Sequence, residues 1–172
     1  MRHFTAPQAS EYPAYFEPYI SLVKDEDLLS FMQQQAKEVL SIVEDTGDIF
    51  LDDSYETGKW TMKELIIHLI DTERIFCTRA LHIARGNTQS LPGYEQDAYV
   101  DKADAARRSK ESLLEEYLAN RISTLAFFKG LSKQAHGLIG VANGLNVSVR
   151  SLLFAIAGHE KHHLQVLKDK YL

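Results

Sequence analysis

The chain has 172 residues, a formal net charge of −5, and 45% hydrophobic against 25% charged residues. That is the make-up of one soluble globular domain over 1–172, large enough to bury its own core. No basic stripe offsets the acidity, which argues against a nucleic-acid or anionic-membrane binder, and Cys77 as the only cysteine excludes an intrachain disulfide or a cysteine-based metal cluster.

Residues 1–20 carry Pro7, Pro13 and Pro18 among several aromatics, and read as an extended arm packing over the surface. They contain no apolar leader, and no later run approaches the ~20 apolar residues of a membrane span, so the cytoplasm is the default compartment. A first helix is expected over about 25–44, with Leu28, Met32, Val39 and Val43 as its stripe and Gly47 as its stop. The second opens on a capping box, Thr61-Met62-Lys63-Glu64, with Trp60 and Leu65 in hydrophobic-staple positions. It continues through Leu69, Thr72, Phe76, Ala80 and Ile83 to Gly86. The third is expected over about 104–131, with Leu113, Tyr117, Thr124 and Phe128 on its inner face. Gly137, Gly140 and Gly144 then break the chain before a fourth helix over 149–170. Strand signals are nearly absent.

Four such helices predict an all-α four-helix bundle. The connection over 87–103 is long for a bundle and could span about 55 Å extended, more than the ~35 Å length of one helix. It can therefore carry the chain back along the bundle between helices two and three, giving an up-down-down-up topology.

The stretch His159-Glu160-Lys161-His162-His163 is the most informative of the chain. His159 and His163 lie one turn apart on the face shared by Leu152, Ile156 and Leu167, where two imidazoles can chelate one transition metal. His162 points away from that face. The same letters match the H-E-x-x-H pattern of zinc proteases, but only residues 164–172 follow, with Asp169 as their one carboxylate and no glycine turn. An upstream third ligand fits better. His68 lies about 10 Å from the start of helix two, and His163 and His159 lie about 10 and 16 Å from the end of helix four. If these helices are antiparallel, all three histidines reach nearly one level. His3, in the arm, His82, on the far side of helix two, and His136, in a glycine-flanked loop, read as surface or structural histidines.

The sequence resembles the DinB/YfiT-like four-helix-bundle metalloproteins. The likeness rests on Lys59-Trp60-Thr61-Met62-Lys63-Glu64 leading to His68, with Asp71 and Glu73 after it, and on His159-x-x-x-His163. Leu91-Pro92-Gly93-Tyr94-Glu95-Gln96-Asp97 resembles the family's crossover, and the likeness covers about residues 25–170. It implies His68, His159 and His163 as metal ligands and an up-down-down-up topology. It also implies a small-molecule substrate, since relatives include transferases and isomerases that use low-molecular-weight thiols such as bacillithiol or mycothiol. The family name reflects DNA-damage induction and is no evidence of DNA binding.

Three neutral histidines leave an open position on a divalent ion, and imidazoles discriminate poorly among zinc, nickel, iron(II) and manganese. A bound water ionising near neutral pH would give a hydrolase, and a bound thiol losing its proton would give a thiol S-transferase. Glu160 is a candidate general base, about 60° from His163 on the helix, against a plain surface carboxylate. Asp71, one turn after His68, is a candidate to orient a ring N–H, against a plain exposed aspartate. Arg121 interrupts the apolar face of helix three, either to clamp a substrate carboxylate or to form a salt bridge to a neighbouring helix. Cys77 reads as a packed, unactivated thiol. The competing functions are a non-catalytic metal-binding or stress-response interaction protein with a structural metal, and a bundle whose histidines are satisfied without metal. For assembly, a symmetric homodimer is the prior.

Overall fold

The computed structural model describes residues 4–172, apart from the side chains at 49 and 50. His3 lies outside the described residues. The chain forms α1 (Glu17–Val23), α2 (Leu28–Asp45), α3 (Asp48–Leu51), α4 (Met62–Ala84), α5 (Gln96–Lys102), α6 (Lys110–Lys129), α7 (Lys133–His136), a hairpin of β1 (Ile139–Ala142) and β2 (Leu145–Ser148), and α8 (Val149–Lys170). The long helices α2, α4, α6 and α8 make a four-helix bundle, and no helix among the described residues is long and apolar enough to cross a membrane.

Helix starts follow their caps. Thr61 accepts from the Glu64 N–H while the Glu64 carboxylate accepts from the Thr61 N–H, closing the expected capping box of α4. Ser109 and Ser148 cap α6 and α8 in the same way, each accepting from the backbone N–H three residues on.

Side-chain bonds between helices define the direction of each. Asn120 donates to the Ile70 carbonyl and Arg121 to Glu73, so α4 and α6 rise together. Lys110, at the start of α6, donates to the Glu44 and Thr46 carbonyls at the end of α2, so these two oppose. Tyr171, just past α8, donates to the Trp60 carbonyl ahead of α4, making α4 and α8 antiparallel. Gln35 donates to the Ala157 carbonyl and Lys168 pairs with Glu38, so α2 and α8 are parallel. The result is up-down-down-up, and the long connection runs back along the bundle as its length allowed.

Four elements depart from expectation. The third helix, expected from about residue 104, starts at Lys110, because Asp104 takes a positive φ and a 3-10 turn over Ala105–Arg107 precedes the Ser109 cap. The arm is not extended: two 3-10 turns lead into α1, where Pro18 occupies the first turn. Proline suits a helix start because its missing N–H would be unpaired there anyway. α1 lies against α8 at Gly158, where an added Cβ would stand 2.0 Å from the Tyr19 carbonyl oxygen. A mid-helix glycine costs about 1 kcal/mol relative to alanine, and this close approach is its reason. The crossover contains a helix of its own, α5. Finally, the glycine-rich break is a two-stranded hairpin turned by Asn143 and Gly144, both at positive φ, a pair suited to a tight two-residue hairpin loop. Leu91 exchanges backbone bonds with Val141 and Asn143, tying the crossover to the hairpin.

The apolar interior is divided in two. One cluster gathers Met32, Phe76, Phe128, Leu152 and Phe154; the other gathers Val39, Met62, Leu65, Leu113 and Leu164. Between them, at one level of the four helices, lie buried Gln35, Glu73, Arg121, Thr124, His159 and Glu160.

Candidate metal centre

His68 on α4 and His159 and His163 on α8 converge in that polar waist. The Nε2 atoms of His68 and His159 are 3.0 Å apart, and those of His163 and His159 are 3.1 Å apart. All three residues offer nitrogens within 4.8 Å of one another. Trp60 leans on the His68 ring at 4.6 Å between centroids, and Tyr19 of α1 meets the His159 ring edge-on at 5.3 Å. His68 and His159 are buried; His163 is half-buried.

Burial pushes the His68 imidazole down to about 4. His163 falls to about 3, through burial first and then the neighbouring His68 and His162. His159 is held well below the ordinary histidine value by burial and by the three other rings. All three are therefore neutral near pH 7, the form in which imidazole ligates a metal. The donor set fits such an ion. Zinc–nitrogen bonds of 2.0–2.1 Å in a tetrahedron place ligand nitrogens about 3.3 Å apart, close to the spacings here. The Nδ1 of His163 is buried without a hydrogen-bond partner among the described residues, so that ring has only its Nε2 contact.

Two cavities flank the cluster. One, of about 360 Å³, reaches His159 between Tyr15, Phe16, Tyr19 and Phe76, with Thr72, Arg79 and Tyr94 also on its wall. The other, of about 400 Å³, reaches His163 and His162 between Tyr55, Trp60 and Tyr171. Asp97, exposed at the start of α5, lines both.

The remaining candidates lie elsewhere. Glu160 is not a surface carboxylate: it is 2% exposed, and its Oε1 accepts from the Tyr117 hydroxyl at 2.5 Å and from Arg121 Nη2 at 2.8 Å. Arg121 is equally buried. Its Nε and Nη2 donate to Glu73, Nη2 also to Glu160, and Nη1 to the Met32 carbonyl. It forms the interhelical salt bridge rather than facing a cavity, because two buried carboxylates surround it. Burial raises the Glu160 carboxyl, with Arg121 opposing. Asp71 is half-buried, 3.6 Å from Arg74, and makes no hydrogen bond to His68 among the described residues. Burial pushes the Cys77 thiol up to about 11, so it is unactivated as expected. His82 bonds Asn87 on the surface, and His136 is buried against the Phe4 ring at 4.0 Å, a structural histidine.

Sequence reasoning passed over Tyr19, Arg79 and Tyr94, which shape the wall beside His159. Gly158 was a usable signal for the first, since a glycine inside an otherwise apolar helix marks close approach of another backbone. Arg79 sits three residues after Phe76 and one before Ala80, a charge inside the apolar face of α4.

Comparisons with known proteins agree with this architecture. The chain is 24% identical over 127 residues to a protein of Oceanobacillus iheyensis provisionally named a metal-dependent hydrolase, covering 73% of each chain. Its fold matches YfiT of Bacillus subtilis, described as a probable metal-dependent hydrolase with an unusual four-helix-bundle topology, at a TM-score of 0.72. That match has 17% identity and covers 95% of this chain and 89% of YfiT. The model of the DinB superfamily matches residues 32–167, and the chain belongs to that superfamily.

Proposed function

We propose that this protein is a metal-dependent hydrolase of a small molecule, with His68, His159 and His163 holding one divalent ion. The observation that carries the reading is the meeting of three neutral imidazole nitrogens between two cavities large enough for a small substrate, His159 lining one and His163 the other. The names of the relatives point the same way. A divalent ion held there supplies Lewis acidity, lowering the pKa of a water or thiol and polarising an acceptor oxygen. Zinc, nickel, iron(II) and manganese all suit the ligand set.

The residues of the chain do the rest. Tyr19 and Trp60 pack on the imidazoles and limit the orientations open to them. Phe16 and Phe76 exclude water from one wall of the cavity. Asp97 is a carboxylate that lines both cavities and places a negative charge at their shared rim. Glu160 and Arg121 position α8 from behind, and Asp71 tunes the surface charge beside α4.

The presence of a second cavity on the far side of the histidines favours a second reading, transfer of a low-molecular-weight thiol, with one reactant in each cavity. Elemental analysis of tag-free protein beside the His68/His159/His163→Ala triple variant tests the site. About one divalent ion per chain, lost in the variant, is expected; turnover of activated esters or amides should vanish with it. Turnover that persists in the metal-free variant would sink the proposal. Turnover that appears only with added thiol would select the second reading. Metal that raises the melting temperature with no turnover would make it structural.

A further inference from the structure

The cavity beside His159 contains a second buried arginine whose circumstances differ from those of Arg121. Arg79 is 7% exposed. One Nη2 bond to the Pro92 carbonyl, at 2.7 Å, is its only hydrogen bond to an acceptor among the described residues. Its guanidinium carbon lies 5.4 Å from the Phe76 ring centre and 5.9 Å from that of Tyr94. No carboxylate of the described residues pairs with it. A guanidinium carries five N–H donors, so most of those on Arg79 have no acceptor among the described residues.

Burial disfavours its charge, with only the Tyr15 and Tyr94 oxygens opposing. None of the Arg79 nitrogens is sealed from solvent without a partner, so the fork is open to a ligand through the cavity that Arg79 lines. Its bond to Pro92 explains one donor and its contact with the crossover, but not the planar fork left over. The surroundings suit an organic anion. Tyr15, Phe16, Tyr19 and Phe76 make an apolar wall, and the Thr72 and Tyr94 hydroxyls, 2.7 Å apart, add polar groups on the same cavity. Glu95 and Asp97 also line it, but both are exposed and screened by solvent. With Arg79 the one cation lining the cavity among the described residues, a single negative charge is the match.

We infer that Arg79 binds the carboxylate of a monoanionic substrate, seating its apolar body against Phe16 and Phe76 and its reacting end toward His159. The inference rests on the hydrolase reading for the same cavity and names the substrate class that this reading leaves open. Arg79 is a specificity residue here, since a planar guanidinium fork presented to a half-enclosed cavity pairs with a carboxylate and not with its neutral isostere.

Benzoate and benzamide, equal in shape and different in charge, are the probes. Titrated by NMR into ¹⁵N-labelled, chelator-treated protein, benzoate should bind at least tenfold tighter than benzamide and shift the Arg79 Nε–H resonance. Arg79→Met should bring the ratio to within twofold. Should that variant fail to fold, Arg79→Lys, which keeps the charge and loses the fork, should lower the ratio at least threefold. Equal affinities in the wild type, or a ratio untouched by either variant, would overturn the inference. The same titration in the His68/His159/His163→Ala variant separates it from the metal reading. A preference for benzoate that survives there supports the Arg79 site even if no metal binds. A preference lost there but retained in Arg79→Met would assign the anion to the histidines and overturn the inference.

Discussion

His159 and Glu160 are neighbours on α8, both buried, yet the two polar clusters they belong to are built oppositely. Around Glu160, opposite charges meet at close range: Arg121 donates to Glu73, Glu160 and the Met32 carbonyl, and Tyr117 donates to Glu160. Around His159, three neutral rings turn ring nitrogens toward one another, and the His159 Nε2 has two such neighbours for its one lone pair or one hydrogen. The first cluster is bonded mainly to itself, with only Glu160 Oε2, Gln35 Oε1 and Thr124 Oγ1 left over among its described atoms, and has a structural role. The second leaves lone pairs converging on a point, which a core has no reason to do unless something else is to be held there.

The sharpest way to break this contrast is Arg121→Leu. It leaves two buried carboxylates without a cation and should cost about 3–5 kcal/mol. In a chain of this size that lowers the melting temperature by roughly 10 °C or more. Melts followed by circular dichroism should show the same loss with zinc and with chelator; a loss seen only with zinc would join the two clusters into one functional unit. The histidine cluster should respond in the complementary manner. Zinc at a hundred times its Kd should stabilise the wild type by about 2.7 kcal/mol and leave the His68/His159/His163→Ala variant unmoved. Equal stabilisation of both would place the ion elsewhere.

Gly158→Ala probes the cover over His159. The added methyl meets the Tyr19 carbonyl, so we expect a loss of about 1–3 kcal/mol and faster amide exchange through α1. Unchanged exchange would mean that α1 is not held by this contact. The smallest effect belongs to Glu11, whose carboxylate pairs with Arg150 far from the waist. Burial pushes its carboxyl up, but Arg150 and the Gln8 N–H outweigh that and hold it below the ordinary value. A depressed carboxyl stabilises fully above its unfolded pKa of about 4.3 and stops doing so as pH falls through the native value. Glu11→Gln should therefore lose up to about 1 kcal/mol at pH 7, with melting temperatures converging toward the wild type in acid. A gap that widens below pH 4 would contradict the sign.

What was legible in the sequence is what depends on period and spacing. The stripe of α2, the capping box at Thr61 and the i, i+4 histidines are local patterns, and rise per residue alone put His68 level with them once α4 and α8 opposed each other. The misses have local causes as well. Pro18 read as a breaker because its place in the first turn is invisible without the rest of α1. Asn143-Gly144 is a hairpin signal that was read as a mere interruption among three glycines. The salt bridge of Arg121 to a neighbouring helix was one of its two readings, but its partners were beyond reach: Glu160 lies on a separate helix 39 residues away. A charge seen alone on an apolar face does not disclose which opposite charge will face it.

The polar waist has a further consequence for how the helices align. Apolar side chains tolerate sliding, because one leucine packs much like another a turn away. A slide of α6 by one turn, about 5.4 Å, would carry Arg121 off both Glu73 and Glu160 into the hydrophobic layer and strand three ionisable groups without water. Alternative registers of the bundle are thereby penalised far more heavily than packing alone could manage. The Arg121 cluster thus works as an alignment key, fixing the relative heights of α4 and α8 on which the meeting of His68 with His159 depends.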